Sequence, residues 1–381
     1  MDNPRIAWLL PVAWFYWQPV LSEFTRPFPQ TTVFTGLFPG FARGFENALT
    51  VKVVGQFKVI EINREETSYG SNFTYLSPSI VGQLLRFKPN LIFSSSFGIW
   101  TIFALLLKPL GKWRIVIAYE GSSPGVDYRN SFVRLFLRRA MVRAADAYIT
   151  NSQGGKAYLT EILKAQESRV FVKPYEIPDS RSLLKHLKDE DSELTDFQLR
   201  RPIFLFVGHL IPRKGIHLLL EACVILQQQG YCHYSLLIVG DGPQREELEV
   251  FSQNHNLGDC VRWAGRVDYD CISAYFRRAD VFVFPTLEDT WGVVALEAML
   301  FGKPVLCSTG AGTAEMVVDG ENGYVFAPDQ PDKLAELMRR FIDQPKLIEV
   351  MGEKSKQIMS QNTPEAASKC LVEVTKLVLN K

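Results

Sequence analysis

The 381 residues exceed one average domain and suit two of roughly 180 to 200 residues each. Hydrophobic residues make up 47% and charged residues 22%, a balance that excludes intrinsic disorder and supplies enough apolar side chains for two cores. With 42 basic and 41 acidic residues the formal net charge is +1, so no global field draws the chain to nucleic acid or to an anionic membrane, and any basic site must be local.

The first residues, MDNPRIAWLLPVAWFYWQP, are apolar but lack a small-residue cleavage site and break at Pro11 and Pro19, which argues against a signal peptide. A strand is expected at 6–10. Residues 91–107 (LIFSSSFGIWTIFALLL) run 17 positions without a charge, at the lower limit for crossing a bilayer. Three serines and a glycine in their middle divide them instead into a short buried strand ending at 94–96 and a buried helix after Gly98. Further strands are expected at 115–118, 147–150, 203–207, 235–239, 261–264, 281–284 and 304–307. Helices are expected at 216–228, 244–254, 269–278, 293–300 and 333–341. Such alternation is the signature of parallel sheets covered by helices.

Charge rises and β-branched residues almost vanish over 179–200, which marks a domain boundary with at most one helical turn. Residues 363–380 begin with Thr then Pro at the first helical position, and space Leu371, Val374 and Val378 along one face, so they read as an amphipathic helix. The expected organisation is therefore a domain over 1–180, a linker over 181–200, a second domain over 201–361 and a terminal helix over 362–381. All six cysteines, Cys223, Cys232, Cys260, Cys271, Cys307 and Cys370, fall in the second half without a CxxC pair or nearby histidines at zinc spacing. They read as reduced core thiols of a cytosolic protein, and no metal site is expected.

In doubly wound sheets ligands sit outside the C-terminal ends of the strands, so each loop there is a candidate site. After the strand 203–207 comes GHLIPRKG. Gly208 lets backbone approach a ligand, while Arg213 and Lys214 place two positive charges just before a helix, where amides already favour an anion. This segment is either a diphosphate clamp or a solvated basic turn; the GxxxxGK[ST] order of a Walker loop is absent. The next strand ends in Gly240-Asp241-Gly242-Pro243, whose glycines serve a ligand or the turn alone. Gly265, Arg266 and Val267 occupy the equivalent rim position after 261–264, where a flat base could lie against backbone. The strongest constellation is 285–297 (PTLEDTWGVVALE): an apolar strand ends at Pro285, Glu288 and Asp289 form an acidic loop with Thr290, and Gly292 opens a helix that carries Glu297. Free amides near Trp291, Gly292 and Val293 form an anion site at the helix N-terminus. Carboxylates repel a phosphate, and their presence beside it is explained by sugar hydroxyls, whose hydrogen bonds they accept.

These residues carry a resemblance. From Phe206 to Pro328 the chain resembles the family 4 retaining glycosyltransferases, through FVGHLIPRKG, LLIVGDGP, VRWAGRV, the acidic-x7-Glu motif ending in LEAMLFGKPVL, and GAGTAEMVVDGENGYVF. The resemblance implies the GT-B fold, α/β, with two Rossmann-like doubly wound domains facing a cleft: the first binds acceptor, the second nucleotide sugar, and the final helix returns to the first. It implies that Arg213 and Lys214 bind the donor diphosphate, that Glu297 bonds the nucleotide ribose, and that Asp289 with the loop through Val293 holds sugar and phosphate. Glu315 matches the family's PExVxDG turn. The family usually has Glu where Asp289 stands, so Glu288 is a possible substitute, and Arg where His209 stands, which leaves His209 as a weaker phosphate ligand or a packed loop residue.

The first half resembles the family more loosely, over IVIAYEGSSPGVDYRNSFVRLFLRRAMVRAADAYITNSQGGKAYL. Where many members carry an active-site His, this chain has Glu120-Gly121; Glu120 is read as the group facing the reaction centre or as a strand-end cap. Trp14, Phe15, Tyr16 and Trp17 suit a sugar face or a lipid, with burial the favoured role for most. Arg134, Arg138, Arg139 and Arg143 share a helix with Phe132, Leu135, Phe136 and Met141, and a helix of this kind rests on a membrane or presents a solvated face. The second reading is favoured, since soluble relatives are Arg-rich there too.

The expectation is thus a metal-independent, retaining transfer of a hexose-type sugar from a nucleotide-diphosphate sugar to a saccharide or lipid-linked hydroxyl, with Glu120, Asp289 and Lys214 at the chemistry. No obligatory cofactor and no nucleic acid are expected, and the oligomeric state is left open. The location is cytoplasmic, with peripheral contact at the inner face of a membrane as an option. The rivals are a nucleotide-sugar epimerase of the same fold and a non-catalytic partner subunit. A nicotinamide dehydrogenase is disfavoured because the first strand leads to PVAWF and not to GxGxxG.

Overall fold

Continuous apolar strands buried on both faces form two separate parallel sheets, each covered by helices. The structure is a computed structural model and describes residues 3–42, 44–63, 69, 71–180, 183 and 198–380. It divides into two compact units, Met1–Arg64 with Gly70–Asp179 and Asn362–Lys381, and Glu65–Tyr69 with Ser180–Gln361. Of the linker expected over 181–200, all but Leu183 and residues 198–200 lie outside the described residues.

The first unit runs β1 (Ile6–Val12), α1 (Gln18–Thr25), β2 (Thr31–Leu37), β3 (Val51–Val53), β4 (Phe57–Asn63), β5 (Ser71–Leu76), α2 (Ile80–Phe87), β6 (Leu91–Ser95), α3 (Ile99–Gly111), β7 (Arg114–Tyr119), α4 (Pro124–Asp127), α5 (Phe132–Ala144), β8 (Ala147–Thr150), α6 (Gln153–Ala157) and β9 (Val170–Val172). Seven strands pair in the order β3-β2-β1-β6-β7-β8-β9, while β4 and β5 form a separate antiparallel pair. Strand order reverses between β1 and β6, where Ile6 lies opposite Leu91. Ile92, Ile117, Phe34 and Trp113 are wholly or almost wholly buried in the core of this sheet. The uncharged stretch after Leu91 is indeed a buried strand followed by a helix. That helix is only half buried, because Leu106 and Leu110 of α3 face solvent. No helix among the described residues is long and apolar enough to cross a membrane.

The second unit continues with β10 (Ile203–Val207), α7 (Ile216–Gln228), β11 (Ser235–Val239), α8 (Arg245–Asn254), β12 (Val261–Gly265), α9 (Ile272–Arg278), β13 (Val281–Phe284), α10 (Val293–Leu300), β14 (Val305–Ser308), β15 (Gly323–Phe326), α11 (Pro331–Asp343) and α12 (Lys346–Gln361). Its strands pair in the order β12-β11-β10-β13-β14-β15, all parallel. In α7 the buried Ile216, Leu219, Leu220, Cys223 and Leu226 repeat at helical spacing and meet buried Leu334, Met338 and Phe341 of α11 in one core. The last helix, α13 (Pro364–Leu379), belongs to the first unit and packs on α1 through a face that includes Leu371, Val374 and Val378. Its start is fixed by Thr363, whose hydroxyl accepts from the Ala366 amide at 3.2 Å, and by Pro364 at the first helical position. All six cysteines are free thiols. Cys223, Cys260 and Cys307 are core residues as expected, whereas Cys232 is exposed and so is no core thiol.

Candidate active site

In the second sheet the strand order reverses between β10 and β13, and the loops at the C-terminal ends of strands beside such a reversal are the usual place for a ligand. Both expected motifs lie there. The loop after β10 carries His209, Arg213 and Lys214; the loop after β13 carries Glu288, Asp289 and Thr290. Backbone bonds fasten the two loops, since the Leu287 amide donates to the Arg213 carbonyl at 2.8 Å and the Thr286 hydroxyl donates to the same oxygen at 2.9 Å.

The side chains meet around Asp289. Lys214 Nζ donates to its Oδ2, and the Arg213 guanidinium lies 3.7 Å from the same oxygen while donating to the Glu288 carbonyl at 2.8 Å. The Trp291 amide donates to Oδ1 at 3.3 Å. Burial pushes the Asp289 carboxyl up, but Lys214, Arg213 and the Trp291 amide together outweigh it and hold the group below its ordinary value. Asp289 is therefore an anion paired with both Lys214 and Arg213.

The helix α10 starts at Gly292, with φ of 96° and no side-chain cap. A side chain at Gly292 would stand 2.5 Å from the Phe284 ring, so this residue supplies both the left-handed turn and the close approach. The first turn of α10 has no side-chain cap, and its amides are those at which the sequence reading expects an anion. Trp291 itself is 2% exposed and belongs to the core. Its backbone amide, as the sequence reading has it, is the part of this residue assigned to an anion.

Glu297, one turn into α10, is 6% exposed, and its carboxylate accepts a hydrogen bond from the Tyr269 hydroxyl at 2.8 Å. Burial raises its carboxyl to about 7, against a smaller lowering by Tyr269. Tyr269 begins a single turn that leads into Ile272 of α9. Ile272, with Gly208, His209, Gly240, Asp241, Gly242, Arg266 and Val267, lines a cavity of about 610 Å³ beside the ends of β10, β11 and β12. The structure therefore brings Gly208, His209, Arg266 and Val267 to one cavity, with Gly265 at its edge, and Arg213, Lys214, Glu288, Asp289 and Thr290 to one cluster. Gly240 has a φ of 140°, and a Cβ there would lie 1.8 Å from the Gly208 carbonyl oxygen, so this glycine is required by the approach of two loops.

Tyr69 is a site residue that sequence reasoning missed. Its ring lies against the Arg213 guanidinium at 4.1 Å, its hydroxyl donates to Asp289 Oδ1 at 3.5 Å and accepts from the Thr290 amide at 3.1 Å, and its own amide donates to Glu288 at 3.2 Å. It stands about 220 positions from Glu288, Asp289 and Thr290 and well over a hundred from Arg213, so no local pattern announces it. Glu120 belongs to the first unit, just beyond β7, where its carbonyl accepts from the Asn151 amide at 3.3 Å. It is thus a residue of a different unit from Asp289 and Lys214. Of the aromatic residues after β1, Trp17 is buried against Trp8 and Tyr175, Trp14 is exposed, and Phe15 and Tyr16 are half-buried.

Two α/β units with parallel sheets, together with a likeness to solved structures, give the GT-B fold. The chain superposes on Anabaena Alr3699/HepE in complex with UDP and glucose with a TM-score of 0.74 at 17% identity, covering 98% of this chain and 100% of that one. Residues 187–358 match the model of the family described as glycosyl transferases group 1. Among curated relatives, sulfoquinovosyl transferase SQD2 of Arabidopsis thaliana is 26% identical over 294 residues, 74% of this chain and 55% of that protein. D-rhamnosyltransferase WbpZ of Pseudomonas aeruginosa is 37% identical over 153 residues, 39% of this chain and 38% of that protein. The matched stretches thus span about half the length of these relatives, or less.

Proposed function

We propose that the chain transfers a hexose-type sugar from a nucleotide-diphosphate sugar to a hydroxyl of a saccharide or lipid-linked acceptor, with retention at the anomeric carbon and without an obligatory metal. The observation that carries this reading is the meeting of Lys214, Arg213 and Asp289 beside the uncapped start of α10, at the reversal of the second sheet. Such a site combines two cations and a helix terminus for a diphosphate with carboxylates for hydroxyls. The UDP in the HepE complex makes UDP the first nucleotide to test.

In the proposed reaction the bond from the anomeric carbon to the diphosphate oxygen breaks, the acceptor oxygen bonds to that carbon, and its proton leaves to the departing phosphate. Negative charge develops on the diphosphate. Lys214, Arg213 and the amides at Gly292 and Val293 are the groups assigned to stabilise it, with Lys214 exchanging Asp289 for the phosphate as the donor binds. Glu297 is assigned to the ribose and Asp289 to the transferred sugar. The base lies in the cavity by Gly265, Arg266 and Val267, and Glu120 of the first unit is the proposed group on the acceptor side. No carboxylate forms a covalent intermediate.

The test is release of nucleoside diphosphate from a panel of nucleotide sugars, with saccharide and lipid acceptors. Lys214→Ala and Glu297→Gln should each lower kcat/KM by about tenfold or more, the scale of about 1.4 kcal/mol. Full activity in both variants would remove the donor site from this location. Conversion of the donor without any acceptor would point to an epimerase, and donor binding without turnover to a partner subunit.

A further inference from the structure

Helix α5 is built with its apolar side outward. Phe132 is 81% exposed, Val133 66%, Phe136 62% and Leu137 49%, and Ala140, Arg143 and Ala144 continue the same exposed face to the end of the helix. The spacing 132, 133, 136, 137, 140, 143, 144 is one stripe of a 3.6-residue helix. Leu135, Met141 and Val142, which the sequence pattern does not distinguish from these, turn toward the body of the first unit. Arg138 is buried too. Its guanidinium donates to the Asp127 carbonyl at 3.0 Å and the Tyr158 hydroxyl at 2.7 Å. A soluble helix normally shows the reverse arrangement, and a contiguous apolar face of this kind marks an interaction surface.

The charges around the stripe choose its occupant. Arg143 lies within it, and Arg134 and Arg139 flank it half-exposed, whereas no acidic residue occurs from Arg129 to Ala145. The stripe ends near a second basic feature. Lys108 of α3 donates to the Ala144 carbonyl at 2.8 Å, and with Lys112 and Arg114 it lines a cavity of about 560 Å³. Asp146 neutralises part of that charge through Lys108 at 2.7 Å and Arg114 at 3.2 Å, and Lys112 is exposed. A second copy of the chain docked through this face by a two-fold axis would set arginines against arginines with no acid on the helix to pair them.

We propose that the exposed face of α5 docks on an anionic lipid bilayer, with Phe132, Val133, Phe136 and Leu137 entering the interface and Arg134, Arg139, Arg143 and Lys112 meeting lipid phosphates. Aromatic and aliphatic side chains at the boundary, ringed by arginines, are the composition of helices that lie in the membrane plane. This surface is in the first unit and does not depend on the chemistry of the second.

The test is co-sedimentation of the full chain with vesicles of phosphatidylcholine containing phosphatidylglycerol, compared with pure phosphatidylcholine. The wild-type chain should bind the anionic vesicles at least about tenfold more strongly than the neutral ones, with added salt weakening the binding. Phe136→Glu and Phe132→Glu should each reduce binding at least about tenfold, and Arg143→Glu should weaken it while leaving the apolar residues in place. Val350→Glu, at an exposed apolar position of the second unit, should leave it unchanged. Unchanged melting temperatures establish that the variants fold. The proposal is overturned if the wild-type chain does not sediment, if Phe136→Glu binds like wild type, or if neutral vesicles bind equally well. It is also overturned if light scattering shows a dimer that Phe136→Glu dissociates, or if a protein partner but no vesicle depends on Phe136.

Discussion

Replacing Glu297 by Gln should stabilise the ligand-free protein at alkaline pH. The Glu297 carboxyl, raised by burial from 4.5 to about 7, is protonated in the folded unit at pH values where the unfolded chain has already released its proton. Below pH 4.5 both states hold the proton and the group costs nothing. Between 4.5 and 7 stability falls as pH rises, at about 1.4 kcal/mol per pH unit, and above 7 the cost is constant at ~3 kcal/mol. Gln keeps the size of the side chain and an oxygen that accepts from Tyr269, but it has no charge to bury. Glu297→Gln should therefore raise the melting temperature at pH 8 by roughly 5–10 °C and at pH 5 by roughly 1–3 °C. Calorimetric melts of both proteins at the two pH values measure this. A difference that does not depend on pH, or a lower melting temperature for the variant at pH 8, would refute the reasoning. The same substitution should cost donor turnover, so that stability and activity move in opposite directions.

Three further outcomes are expected. Tyr69→Leu removes the ring from Arg213, a contact worth about 0.5–1 kcal/mol, and frees the guanidinium for phosphate; titration calorimetry should show UDP binding about two- to fivefold tighter, whereas weaker binding would mean that Tyr69 holds Arg213 in its binding posture. Gly240→Ala places a methyl against the Gly208 carbonyl at a backbone angle that alanine disfavours, and should lower stability by about 2 kcal/mol or more in urea denaturation with a concurrent loss of nucleotide binding. Trp291→Ala should destabilise by about 3–5 kcal/mol because the ring fills the core, and a variant that melts like wild type would overturn that placement.

The second unit was far more legible in the sequence than the first, for physical reasons. Strands such as β10 and β11 are uninterrupted apolar runs because both their faces are buried, and β11 is followed by Gly240, which the adjacent loop requires. β2 was not foreseen. Its sequence TTVFTGL carries three threonines, yet all of its residues except Leu37 are buried, with hydroxyls satisfied locally: Thr31 donates to the Phe28 carbonyl at 2.6 Å and Thr35 to the Leu37 carbonyl at 2.7 Å. The paired strands β4 and β5 also escaped notice, and with them Tyr69. Trp291 shows the limit in the other direction, since an aromatic residue between an acidic loop and a helix reads equally as ligand contact or as core. Helix α5 was recognised as basic and amphipathic, but its two apolar stripes are nearly equal, and only tertiary packing decided that Leu135 and Met141 turn inward while Val133 and Leu137 turn outward.

The ion pair between Lys214 and Asp289 has a consequence for the rhythm of turnover. A bare ammonium in so dry a pocket would grip any diphosphate tightly, and the product would leave slowly. Here the carboxylate is an internal substitute for that phosphate, ready to reclaim the lysine as soon as the product loosens. Under the proposed function, donor binding is then an exchange of anions in place of simple capture, and the energy withheld on entry is returned at the exit. A transferase working as proposed would give up tight binding of its substrate in order to be rid of its product.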